Sequence, residues 1–153
     1  MGQNTLIAGI ELYGFGTPHT SDGWKHHTQL LASGALAIDC SYLVYEALYN
    51  SGYGAVLPAS VGDFYTQTLW DDYATAATDT TKFSRFTPTE AASFLQPGDI
   101  LLLTNTATGI KHTGIFSQYE PGTGYPMFYE VGDSRGTTLA KVDQGWGYTL
   151  YAN

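Results

Sequence analysis

The stretch Ile110-Lys111-His112-Thr113-Gly114-Ile115-Phe116-Ser117 decides the architecture. Its residues alternate with a period of two, the mark of a strand with two unlike faces. Ile110, His112, Gly114 and Phe116 fall on one face. Strand-like segments follow at 126–131, 137–142 and 147–151, and Ile100–Thr104 precedes it. Turns at Gln96-Pro97-Gly98-Asp99, Pro121-Gly122-Thr123-Gly124, Gly132-Asp133 and Gly145 separate the segments. No helix-sized segment lies between these strands. They are therefore expected to pair antiparallel, because a parallel crossover needs a dozen or more residues.

Upstream, the pattern changes to a helical one. Asp39 is a good N-cap, Leu43, Val44, Ala47 and Leu48 recur on one helical face, and Asn50-Ser51-Gly52 stops the run. Residues 4–14 form a shorter amphipathic pattern, weakened by two glycines. Pro58-Ala59-Ser60 is expected to open a further helix to about Leu69, with Ser60 as cap and Asp63 three residues on. Residues 14–38 are rich in turn formers, and the polar, Thr-rich residues 71–88 are expected to be loop with a helical turn. Helices first and strands afterwards predict an α+β domain spanning residues 1–153, with N-terminal helices on an antiparallel sheet of about five to six strands.

Composition narrows the function classes. The chain has 153 residues, 6 basic against 14 acidic, and a net charge of −8. Affinity for nucleic acid comes largely from Lys and Arg on phosphate, so nucleic acid is not an expected partner. Anionic membrane surfaces are disfavoured for the same reason. No apolar run approaches the ~20 residues of a membrane span. Charged residues are 13% and aromatics 14%, a balance opposite to that of disordered chains. The N-terminus shows no basic segment followed by an apolar one, so no secretory signal is expected. Gly14-Phe15-Gly16 is not a phosphate loop, since no Gly-Lys-Ser/Thr follows.

Cys40 is the single cysteine, which excludes an internal disulfide and a Cys-rich zinc fold. It falls in the first turn of the best helix, at i−3, i−4 and i−7 from Leu43, Val44 and Ala47. Its thiol therefore lies at the N-terminal end of the packing face. Helix N-termini and imidazolium neighbours favour the thiolate. A buried structural cysteine is the alternative. His112 tips the comparison: an imidazole on a largely apolar strand face needs a partner, and Gly114 leaves space beside it for something to approach. Cysteine and histidine together suggest a nucleophile and its base, with a third polar group orienting the ring. Alternation puts Glu130 on the face opposite Met127, Tyr129 and Val131, which makes it the best-placed acid. Asp133, in the next turn, competes with it. His26 and His27 and the pair Asp71-Asp72 read as exposed, and no ligand spacing predicts a metal or other cofactor.

Five short motifs in order resemble the NlpC/P60 family of papain-like cysteine peptidases, which cut bacterial cell-wall peptides. Phe15-Gly16-Thr17-Pro18-His19 is similar to the family's Gly-x-Pro-Tyr, and Asp39-Cys40-Ser41-Tyr42-Leu43-Val44 to Asp-Cys-Ser-Gly-Leu-Val. Leu57-Pro58-Ala59-Ser60 resembles the opening of the following family helix. Leu95-Gln96-Pro97-Gly98-Asp99-Ile100 resembles Leu-x-Pro-Gly-Asp-Leu, and His112-Thr113-Gly114-Ile115-Phe116 resembles His-Val-Gly-Ile-Tyr.

The resemblance implies a papain-like fold with Cys40 as nucleophile, His112 as base and Glu130 in the third position. The third position is commonly His in the family and an acid in the related CHAP amidases. It further implies that Asp39 and Ser41 help bind the substrate's free amino end and that His19 lines the same pocket. Tyr42 stands where the family has glycine and His19 where it has tyrosine, so the pocket should differ in shape. Trp24 to His27 and the long loop from Gln118 to Tyr125 are expected to cover the cleft. The implied activity is hydrolysis of an amide in the peptidoglycan stem peptide by a monomer acting in the periplasm or cell wall. With no secretory signal, delivery would fall to a secretion system or a phage. An antibacterial effector of this kind would have an immunity protein as partner. Acyl transfer or deamidation on the same fold, and an inactive binding module, are the rival readings.

Overall fold

The computed structural model describes residues 2–20, 28–54, 84–86, 95–105, 111–132, 136–141 and 146–152. Helix α1 spans Gly2–Tyr13. A small hairpin of β1 (Thr28–Leu30) and β2 (Leu36–Ile38) follows, and β2 leads through Asp39 into α2 (Cys40–Leu48). A π-helical turn over Tyr49–Tyr53 ends this helix, with Gly52 at φ 101. That region of φ is open mainly to glycine, so the predicted stop at Asn50-Ser51-Gly52 has a backbone reason.

The remaining strands are β3 (Ser84–Phe86), β4 (Ile100–Asn105), β5 (Lys111–Tyr119), β6 (Pro126–Gly132), β7 (Gly136–Lys141) and β8 (Trp146–Ala152). They form a six-stranded sheet in the order β3-β8-β4-β5-β6-β7, antiparallel at every pairing. The architecture is thus α+β with an antiparallel sheet, as the alternation predicts.

Three local expectations are corrected. Residues 84–86 are a strand on the edge of the sheet, not loop; their pairing partner, β8, lies more than sixty positions away, so nothing local announces it. The turn-rich segment 14–38 contains the β1–β2 hairpin and a parallel bridge from His19 to Ile38. Gln118 and Tyr119 continue β5, because a bulge between Phe116 and Gln118 keeps the strand in register with β6. The expected helix from Pro58 lies outside the described residues.

Two cores sit on the two faces of the sheet. Leu95, Leu101, Leu103, Phe116, Phe128 and Ala140 form one. Ile38, Leu43, Tyr129 and Val131 form the other, joined by Leu6, Ile10 and Tyr13 of α1 and by Cys40, Tyr42 and Leu139. Leu43, Val44 and Leu48 of α2 are almost completely buried, each contributing roughly 1.5–3 kcal/mol. Gly9 allows α1 to lie close: a Cβ there would be 3.4 Å from both Ala47 Cβ and Ile115 Cδ1.

A strap of residues 14–20 ties the sheet edge to the start of α2. Gly16 N–H and Thr17 N–H donate to the carbonyl and the hydroxyl of Thr137, both at 2.8 Å. Thr137 N–H donates back to Thr17 at 2.9 Å. Ile38 N–H then reaches Pro18 at 2.9 Å, and Thr20 N–H reaches Ile38 at 3.0 Å. The Tyr129 hydroxyl, beneath the helices, donates to the Gly14 carbonyl.

The space at Gly114 is already filled. A Cβ on Gly114 would lie 2.4 Å from Phe128 Cδ2 and 2.9 Å from the Tyr129 carbonyl oxygen. The expected opening for an approaching molecule is occupied by the Phe128 ring. Gly114→Ala is therefore expected to cost about 1–3 kcal/mol of folding free energy through overpacking. Urea denaturation checks this, and an unchanged midpoint would contradict the close fit.

Candidate active site

The N-terminus of α2 is built by Asp39. Its backbone is extended (φ −101, ψ 171), and its carboxylate accepts from Tyr42 N–H at 2.6 Å, the bond an N-cap makes to the first turn. Ser41 Oγ donates to the same oxygen at 2.9 Å. Asp39 and Ser41 are both buried. Cys40 follows as the first helical residue and is only partly buried, unlike an inert core thiol.

The partner side chains come from the sheet. Antiparallel pairing brings the beginning of β5 and the end of β6 to the same end of the sheet. His112 pairs with Leu103 and Gly114 with Leu101. Continuing the register from Ile115–Tyr129 sets Glu130 opposite Gly114, so Glu130 and His112 are diagonal neighbours on one face. His112 Nε2 lies 2.9 Å from Glu130 Oε2. The carboxylate accepts, so Nε2–H donates, and Nδ1 is left to face the Cys40 thiol, with which the ring is also hydrogen-bonded. The Glu130 side chain is 3% exposed and that of His112 17%. The histidine is therefore the more open of the two.

Electrostatics follow from this order. Burial disfavours a charged His112 ring and is the largest single influence on it. It is outweighed by the charge and hydrogen bond of Cys40 and by the hydrogen bond and charge of Glu130. The balance raises the imidazole from 6.5 to about 10. A ring held protonated beside a sulfur stabilises the thiolate it faces.

The remaining predicted residues are placed unevenly. His19 lies in the strap, its backbone bridged to Ile38, two positions before Cys40. Tyr42 packs edge-on against Tyr13 with ring centroids 6.3 Å apart. Burial raises both phenols above their usual 10. Asp133, the competing acid, lies outside the described residues, as do Trp24 to His27 and Asp71-Asp72. The turn after β5 is closed by Glu120 N–H to Tyr125 at 2.8 Å and Gly124 N–H to Glu120 at 3.0 Å. Among the described residues no group of three or more His, Cys, Asp or Glu is arranged to hold a metal ion, and no helix is long and apolar enough to cross a membrane.

Phe128 was not legible as a site residue. Its ring stands edge-on to His112 at 5.8 Å between centroids. Phe128 and Glu130 share parity on β6, which is the available signal, but the register that aims them at His112 is a cross-strand property.

No protein-family model and no curated protein matches the chain.

Cys40→Ala is expected to lower the His112 titration midpoint. The thiolate that favours the charged ring is lost, while burial, which opposes it, remains. Nuclear magnetic resonance titration of the imidazole checks this; a midpoint that stays near the wild-type value would separate the two side chains.

Proposed function

We propose that the protein is a papain-like cysteine hydrolase that cuts an amide in the peptide stem of bacterial peptidoglycan. The observation that carries the chemistry is the line from a partly exposed Cys40 thiol through His112 to a buried Glu130. The substrate class rests on the five ordered motifs shared with the NlpC/P60 peptidases.

In this reading the Cys40 thiolate attacks the amide carbonyl carbon and forms a tetrahedral oxyanion. Backbone N–H groups at the start of α2, including that of Cys40, would stabilise that oxygen. His112 gives its Nδ1 proton to the leaving amine, the C–N bond breaks, and a thioester remains. Neutral His112 then takes a proton from water, whose oxygen attacks the thioester. The acid leaves and the thiolate–imidazolium pair is restored. Glu130 holds the ring through Nε2 and favours its protonated form.

The site of action in this reading is the periplasm or cell wall, with a secretion system or phage as the delivery route. An effector role would bring with it an immunity protein in the producing cell. The Tyr13–Tyr42 pair, at the place where the family has a small residue, favours a second reading: acyl transfer or deamidation on another amide, or a binding module.

Digestion of purified muropeptides, followed by mass spectrometry, separates these readings. Wild type should release stem fragments and Cys40→Ala none. Glu130→Gln should slow turnover on the order of 10²–10⁴-fold, and Asp133→Asn far less. Cleavage by Cys40→Ala would end the mechanism. The reverse ranking of the two acid variants would move the third role to Asp133.

The thiol itself gives a substrate-free measurement. Alkylation of Cys40 should persist below pH 7 in wild type. In His112→Ala it should rise only as pH approaches the ~8.5 of an ordinary cysteine. An ordinary profile in wild type would favour the binding module.

A further inference from the structure

Glu130 has a glycine opposite it on one neighbouring strand and another two positions along its own. Gly114 stands opposite it on β5, and Gly132 follows two positions later on the same face of β6. The space over Gly114 holds the Phe128 ring, which also meets His112 edge-on. The space over Gly132 holds the Glu130 carboxylate itself. A Cβ on Gly132 would lie 3.0 Å from Oε1 and 3.2 Å from Oε2. Oε2 is the atom bonded to His112 at 2.9 Å. Ordinary carbon–oxygen contact needs more room, so a side chain at 132 requires the carboxylate to give by a few tenths of an ångström and disturbs the position from which Oε2 meets the ring.

We propose that Gly132 is a positioning residue: the absence of a side chain there lets the Glu130 carboxylate lie back over β6 and present Oε2 to His112. The proposal rests on reading Cys40, His112 and Glu130 as one catalytic line. Phe128 over Gly114 bounds the ring on one side, and the bare Gly132 backbone supports the acid on the other. The acid is thus held by the shape of the sheet as well as by its hydrogen bond.

The test is a double-mutant cycle on the full chain, read by the His112 imidazole titration and by the rate of Cys40 alkylation at pH 6. Neither readout requires a substrate. Gly132→Ala should shift the His112 midpoint downward, the direction expected of Glu130→Gln, because a displaced carboxylate favours the charged ring less. It should slow alkylation about threefold to tenfold, in proportion to a sub-ångström misplacement. The same substitution should have no further effect in a Glu130→Gln background, where the charge is already gone. It should also have little effect in Glu130→Asp, whose shorter side chain withdraws from the crowded position. The Asp background also keeps the test available if Gly132→Ala alone does not fold. Equal shifts in all three backgrounds would make the effect generally structural and overturn the proposal, as would no shift in wild type. Normal titration and labelling without any muropeptide cleavage would refute the proposed substrate and leave the role of Gly132 standing.

Discussion

The Asp39 carboxylate holds together two incompatible backbone geometries, and the position of Cys40 depends on it. Before it, Ile38 is extended and bonded on both sides by the strap residues Pro18 and Thr20. After it, the chain is helical from Cys40 onward. A helix start leaves N–H groups without internal acceptors; the Asp39 side chain accepts one of them and also holds Ser41. With its flanks anchored in this way, Cys40 can only be the first helical residue. The apolar face of α2, buried against α1 and the sheet, then fixes the direction in which that residue points.

The sheet supplies the rest with its own constraint, close approach of backbone and rings where side chains are missing. Gly114 admits the Phe128 ring, and Gly132 admits the Glu130 carboxylate. Gly136, at φ 66, admits the strap, since a Cβ there would lie 2.5 Å from the Thr17 carbonyl oxygen. Each glycine exchanges a side chain for a contact that joins one part of the site to another. The strap is the mechanical link between the two halves: it pairs with β7 at one end and with β2, two residues before Cys40, at the other.

Charge follows from this packing. Partial burial of His112 disfavours its charge, yet the ring is bonded to both the Cys40 thiol and the Glu130 carboxylate. Partners at hydrogen-bond distance in a poorly solvated site outweigh the burial cost. The same side chains on an exposed surface would interact weakly and be screened.

Much of this was readable along the chain. The period of two in 110–117 and 126–131, the spacing of Leu43, Val44, Ala47 and Leu48, and the cap at Asp39 are local signals, because strand and helix geometry act on neighbours in sequence. They sufficed for the α+β class, the antiparallel pairing, and Cys40, His112 and Glu130 as candidates. Strand β3 was not readable, since its pairing is with β8 from the far end of the chain. The filling of Gly114 escapes local reading for a related reason: a missing side chain looks like space in one dimension and becomes a contact once Phe128 is folded over it. Local sequence thus names the cysteine, histidine and acid that are candidates for a site and the face of each element on which they fall. That Glu130 meets Nε2, that the thiol is left to Nδ1, and that Gly132 lies under the acid came from folding alone, because register and close approach arise between strands and have no local code.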